Sequence, residues 1–197
     1  NDGIMMLMDF AAIIGATLFG MGQTQLILFV IVIQIAGSVG ALLFGKIADK
    51  TSSKDAVTIA LLVLIAAIGG LLVLGLVSKS LLWFYIIGFL AGFSLSGAQA
   101  VSRSMVSQFA PPSKVTEFYG FLSVAGRTST FVGPLVFGTI SYRMNNWYLN
   151  HGQAAALAEH NGLIWAIGSI ILFLVVGLLL LLLVKRVTAK DPLHYES

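Results

Sequence analysis

Polar and charged residues fall in narrow bands along this chain, and six long apolar stretches lie between them. The stretches run over about residues 3–20, 25–46, 56–77, 81–105, 117–141 and 163–184. A hydrocarbon core about 30 Å thick needs roughly 20 helical residues to cross it, and all but the first stretch reach that length. Lipid offers no hydrogen bonds to a bare backbone, so spanning segments are helices or strands of a closed barrel. Runs such as LILFVIVIQIAG and LLLLLLV do not alternate, which disfavours a barrel. The pattern predicts an all-α, polytopic transmembrane helix bundle of about six spans. Glycine and serine punctuate the stretches, as membrane helices tolerate.

Composition strengthens this reading. Hydrophobic residues make up 58% of the 197 positions and charged residues only 10%, against about 25% charged in a soluble domain. A soluble enzyme, a nucleic-acid partner and a disordered chain are excluded as expectations. There is no cysteine, hence no disulfide, thiolate zinc site or iron–sulfur cluster. His151, His160 and His194 lie outside the apolar runs, so no metal and no cofactor is expected.

The basic residues carry the orientation. Lys46, Lys50 and Lys54 follow the second stretch, Arg103 and Lys114 the fourth, and Lys185, Arg186 and Lys190 the last. The alternate connections hold only Lys79 and Arg143, while Arg127 falls inside a stretch. The positive-inside bias places the basic loops and the C-terminus in the cytoplasm, and an even number of spans puts residue 1 there too. The expected organisation is a six-helix domain over 1–190 and a cytoplasmic tail over 191–197. The chain opens at Asn1 without a basic leader, so residue 1 is read as an interior point of a longer protein with its first helix truncated. The connection over 142–161 is expected to be an external hydrophilic loop, with Trp147 and Tyr148 at headgroup depth and His151, Glu159 and His160 in water.

Polar groups at membrane depth are the functional candidates. They are Asp2, Asp9, Gln34, Gln99 and Arg127, as a pathway for substrate or a coupling ion, with Ser94 and Ser96 beside them. Arg127 lies nine residues past Phe118, about 13 Å inward at 1.5 Å per residue. By the same rise Asp9 is about 16 Å from Gly20, so Asp9 is the first candidate partner for Arg127 and Asp2 the second. Gly88 and Gly92 form a G-x-x-x-G pair suited to close helix contact. Gly133–Pro134 removes a backbone hydrogen bond inside the fifth stretch and predicts a helix kink.

Two motifs carry a family resemblance. The first is GKIADKTSSKDAV after the second stretch, and the second is EFYGFLSVAGRTSTFVGPLVFGTI from Glu117. Gly45, Asp49, Lys50 and Lys54 are similar to the loop signature of the major facilitator superfamily, although serine replaces its second glycine. Glu117, Phe118, Gly120, Arg127, Gly133 and Pro134 resemble one branch of it, the autophagy-related vacuolar amino-acid effluxers of fungi and their bacterial relatives. That resemblance implies the C-terminal half of a twelve-helix secondary transporter, built as a 3+3 inverted repeat, whose partners are the lipid bilayer and the N-terminal six-helix half. It implies alternating-access transport of a small solute, with amino acids as candidates, in a bacterial cytoplasmic membrane. Gly45, Asp49, Lys50, Lys54 and Arg103 would then form a conformational gating loop. The sequence shows no internal repeat by inspection and no G-x-x-x-x-G-K-[ST] run, so a gradient rather than ATP is expected to drive transport. The alternatives are a non-transporting scaffold or receptor, and an intramembrane aspartyl enzyme using Asp2 and Asp9, which are seven residues apart.

Overall fold

The computed structural model describes residues 2–77, 80–110 and 114–184, with side chains from Phe10 onward except at 109, 125 and 128–130. Lys79, the Pro111–Pro112 pair and everything from Lys185 on, including the expected tail over 191–197, lie outside the described residues, as do the Asp2 and Asp9 side chains. Six helices follow one another: α1 (Asp2–Phe19), α2 (Gln23–Lys50), α3 (Ser53–Val77), α4 (Leu81–Phe109), α5 (Val115–Asn150) and α6 (Ala155–Leu183).

The turns between them are short and chemically specified. Gly20 takes φ +65° after α1, a left-handed conformation that glycine reaches without a Cβ clash. The Gly22 amide then donates to Gln25 Oε1 at 3.0 Å. Between α2 and α3, Thr51 Oγ1 donates to the Ile47 carbonyl, and Ser52 Oγ accepts the Lys54 amide at 3.2 Å, an N-cap that satisfies one of the free donors of α3. At the opposite end, Gly152 takes φ +81° and the Gln153 amide donates to Tyr148 O.

This last turn corrects the expected external loop. Most of 142–161 is helical: α5 runs on to Asn150 and α6 starts at Ala155. The cause is packing, because Gly162 lets α6 press onto α5 at the Ser141 carbonyl and Asn145. Trp165 Nε1 also donates to Tyr148 Oη at 3.2 Å. Trp147 and Tyr148 thus sit on the last turns of α5, their rings edge to face.

Among the described residues four helices are long and apolar enough to cross a membrane: α2, α3, α4 as far as Gln108, and α6. Length and composition thus support four of the six expected spans among the described residues. In α1 the apolar part described is Phe10–Phe19. α5, at 36 residues and about 54 Å, is long enough but is diluted by Arg127, Pro134 and several hydroxyl and amide side chains.

Side-chain contacts fix the helix directions. Phe29 meets Gly88, Ile33 meets Gly92 and Phe44 meets Gly97, so α2 and α4 run parallel. Gly75 meets Ile164 and Lys54 reaches Leu182, so α3 and α6 are antiparallel. The ends of α2, α4 and α6 and the starts of α3 and α5 consequently share one end of the bundle, where Lys46, Lys50, Lys54, Arg103 and Lys114 gather. It is called the basic end below.

The pairing of helices reveals a symmetry that the sequence hides. The packed pairs are α2 with α4, α1 with α5, α3 with α4, α1 with α6, α2 with α3, α5 with α6, α3 with α6, α4 with α5 and α1 with α2. Exchanging α1 with α4, α2 with α5 and α3 with α6 maps this set onto itself. α1 and α4 run in opposite directions, so the same exchange also reverses the direction of each helix along the bundle. Along the contact between α3 and α6, Leu64, Ile68, Ile167 and Ile170 are fully buried. An aromatic chain of Phe19, Phe84, Phe29 and Tyr85 ties α1, α2 and α4 together away from the basic end.

Candidate functional site between α1, α2 and α4

Glycines create the site. On α4, Gly88 faces the Phe29 ring and Gly92 faces the Ile33 side chain and carbonyl. On α2, Gly37 faces Ser96. Small residues let membrane helices approach closely, and the G-x-x-x-G pair read from the sequence is part of this seam. Beside the seam lies a cavity of about 220 Å³, walled by α1, α2 and α4 and floored by Ile68 and Leu71 of α3. It is smaller than the ~300–1,000 Å³ of pockets for drug-sized ligands, so it suits a small solute. Its walls are mainly apolar, with Phe29, Phe84 and Leu95 among them, and Gln34 and Ser96 supply the side-chain polarity. Val30 and Gln34, at one margin, are exposed on the surface of α2.

The sequence-predicted pathway residues part company here. Gln34 and Ser96 line the cavity. Ser94 does not: it is fully buried and donates to the Leu90 carbonyl at 2.8 Å. Gln99 is half-buried on α4, one turn past Ser96 and outside the cavity lining. The aromatic walls were missed in the sequence. Phe29 and Phe84 look like ordinary core residues there, and the nearest signal was the glycine pair opposite them.

Arg127 is exposed on α5, away from the core of this bundle. Its candidate partners Asp9 and Asp2 have side chains outside the described residues, and only the helix register can be compared. Phe10 stacks on Phe137 with ring centroids 3.9 Å apart, and α1 and α5 run parallel from the basic end. Arg127 precedes Phe137 by ten residues, about 15 Å along the helix. That brings it level with the beginning of α1, at Asp2, and leaves Asp9 about 13 Å away along the axis. Gly133 is buried and Pro134 half-buried in the middle of α5, which stays helical through them.

The loop residues divide in the same way. Asp49 and Lys50 are exposed on the last turn of α2, Gly45 is half-buried and Arg103 is exposed near the end of α4. The Arg103 carbonyl accepts from Tyr119 Oη at 3.1 Å, which joins α4 to the start of α5. Lys54 differs from the other loop residues: its Nζ donates to the carbonyls of Leu182, at 2.8 Å, and Val184. Among the described residues no three His, Asp or Glu side chains gather as a metal site.

Comparison with known proteins decides the family. The profile described as "Vacuole effluxer Atg22 like" matches residues 1–191. The chain belongs to the Atg22-like vacuole effluxer family. The MFS-type transporter YxiO of Bacillus subtilis, itself described as uncharacterized, is 23% identical over 196 residues, covering 100% of this chain and 41% of YxiO. Autophagy-related protein 22 of Kluyveromyces lactis is 40% identical over 62 residues, 32% of this chain and 13% of that protein. Its counterpart in Coccidioides immitis is 25% identical over 154 residues, 73% of the chain and 26% of that protein. No solved structure matches the chain. This Atg22-like chain thus spans about two-fifths of YxiO and a smaller share of the fungal proteins. The match agrees with the resemblance carried by the Asp49 loop and the Glu117 segment. Apolar helices and transporter relatives together make it an integral membrane protein.

Proposed function

We propose that this chain forms one six-helix half of a secondary transporter that moves a small solute by alternating access, with α1 and α5 completing six spans. The observation that carries the reading is the cavity between α1, α2 and α4, since it puts Gln34 and Ser96 in an otherwise apolar wall at the margin of an exposed face. The inverted pairing of α1–α3 with α4–α6 supports it, because this is the architecture in which such transporters build a midplane site between repeats. Neutral amino acids are the proposed solutes: an apolar wall suits a side chain, and Gln34 and Ser96 offer hydrogen bonds to polar groups. A second six-helix half covers the exposed positions of Gln34 on α2 and Arg127 on α5. The basic end faces the cytoplasm, and the proposed location is a bacterial cytoplasmic membrane. Asp49, Lys50 and Arg103 act there as gating contacts to the other half.

The test uses the whole protein in proteoliposomes under an imposed proton gradient. Saturable uptake or efflux of radiolabelled leucine or another neutral amino acid, lost on dissipating the gradient, supports the proposal. Absence of flux for every neutral amino acid, with folded protein in the membrane, refutes the substrate class. Gradient-dependent flux of a different solute would leave the transport mechanism standing.

A further inference from the structure

Lys54 stands at the second position of α3, where the positive end of the helix dipole disfavours a cation. Asp55, the next residue, is the acidic group that suits this first turn. The penalty on Lys54 is offset across the bundle. Its ammonium group donates to Leu182 O and Val184 O at the C-terminal end of α6. Those carbonyls are among the last four of a helix, which have no partner inside it and carry its negative dipole end. One residue earlier, Ser53 is buried, at 2% exposure, and its Oγ donates to Gln108 Oε1 at 2.9 Å, at the end of α4. Two adjacent side chains therefore tie the start of α3 to the ends of two other helices.

Both ties run from the first three-helix unit, α1–α3, to the second, α4–α6. Among the described residues, the corresponding start of α6 at the other end of the bundle carries no such side-chain tie. There α6 opens with Ala155 and Ala156, and Ala154 supplies no side-chain cap. The contacts nearby are apolar, with Ile164 and Leu18 packed against Gly75. At the basic end the junction is tied by the side chains of Ser53 and Lys54 to α4 and α6, while at the other end Tyr85 Oη of α4 donates to the Gln25 carbonyl of α2 at 2.8 Å.

We infer that Ser53 and Lys54 form a clasp that fixes the two three-helix units to each other at the basic end, with Lys54 serving as the C-terminal cap of α6. Lys54 is then a positioning residue within this bundle rather than a gating charge directed at another domain. Ammonium-to-carbonyl bonds hold the last turn of α6 closed, and the buried Ser53–Gln108 bond sets the register of α3 against α4. The inference concerns cohesion within the bundle and does not depend on the identity of any solute.

Hydrogen exchange on the whole protein in lipid nanodiscs tests it. In Lys54→Met, exchange at the amides of Leu181 to Val184 rises about tenfold, as the loss of a charge-assisted hydrogen bond predicts, and Lys54→Arg restores most of the protection. Exchange around Gly152 at the far end stays unchanged. Unaltered exchange at the end of α6 in Lys54→Met overturns the clasp. So does a change confined to thiol accessibility at the two membrane faces, which is the signature of a gating charge. If Lys54→Met does not assemble, Lys54→Gln, which keeps a donor, must show an intermediate exchange rate at the same amides, and a wild-type rate there overturns the clasp equally.

Discussion

Gly40 of α2 lies directly against the main-chain carbonyl of Phe93 on α4, so close that a methyl group on Gly40 would overlap the Phe93 oxygen, carbonyl carbon and Cα. A flexible side chain can swing away from such an intruder, but a helix backbone cannot. Gly40→Ala is therefore expected to force α2 and α4 apart and destabilise the bundle by about 1–3 kcal/mol, the range for overpacking. Gly69→Ala on α3 is the control. Nothing lies within 4 Å of its added Cβ, and alanine is the better helix former by about 1 kcal/mol. Thermal unfolding in detergent should separate the two, with a lower midpoint for Gly40→Ala and an equal or higher one for Gly69→Ala.

Orientation is testable because the chain has no cysteine. Ser52 is unsuitable as a probe, since it is 4% exposed and caps α3. Lys50 and Asn150 are both exposed, at opposite ends of the bundle. In intact cells Asn150→Cys should react with a membrane-impermeant thiol reagent, and Lys50→Cys should react only after lysis. The reverse pattern would invert the proposed topology.

Gln34 offers a test of the cavity that spares the fold. Its side chain is exposed and lies outside the buried seam of α2. Gln34→Leu should lower kcat/KM for the transported solute about tenfold or more, as loss of one substrate hydrogen bond implies, with an unchanged unfolding midpoint. Wild-type transport kinetics in this variant would remove Gln34 from the solute path.

The register between α1 and α5 makes a discriminating prediction for Arg127. In a double-mutant cycle on the whole protein, Arg127→Gln should couple to Asp2→Asn and act additively with Asp9→Asn. Transport rate and unfolding midpoint are the two readouts. Coupling to Asp9 alone would show that the Phe10–Phe137 stack does not set the level of Arg127.

The hydrophobic pattern alone determined that this is a helical membrane protein. It also located all six helices, because a bilayer demands long apolar runs whatever their neighbours are. The stretch 81–105 and helix α4, Leu81–Phe109, begin at the same residue, and 56–77 and α3 end at the same one. The loop around Asp49 and the segment from Glu117 also carried the family in their residues. Helix ends beyond the apolar runs were not legible. The polar stretch 142–161 is helical because Gly162 docks α6 on α5, and no local signal records a partner twenty residues away. The site was half legible: Gln34 and Ser96 stood out as polar groups in apolar runs, but Ser94 and Ser96 look alike until the helix is rotated into place. One turns into the packing and bonds its own backbone, while the other meets the cavity. Lys54 reads as a positive-inside charge and a member of the Asp49 loop signature, and only the tertiary fold brings the end of α6, more than a hundred residues later, within reach of its ammonium group. The symmetry of the helix pairing was hidden for the same reason. Lipid-facing positions accept almost any apolar side chain, so two units can share a packing scheme after their sequences have ceased to match.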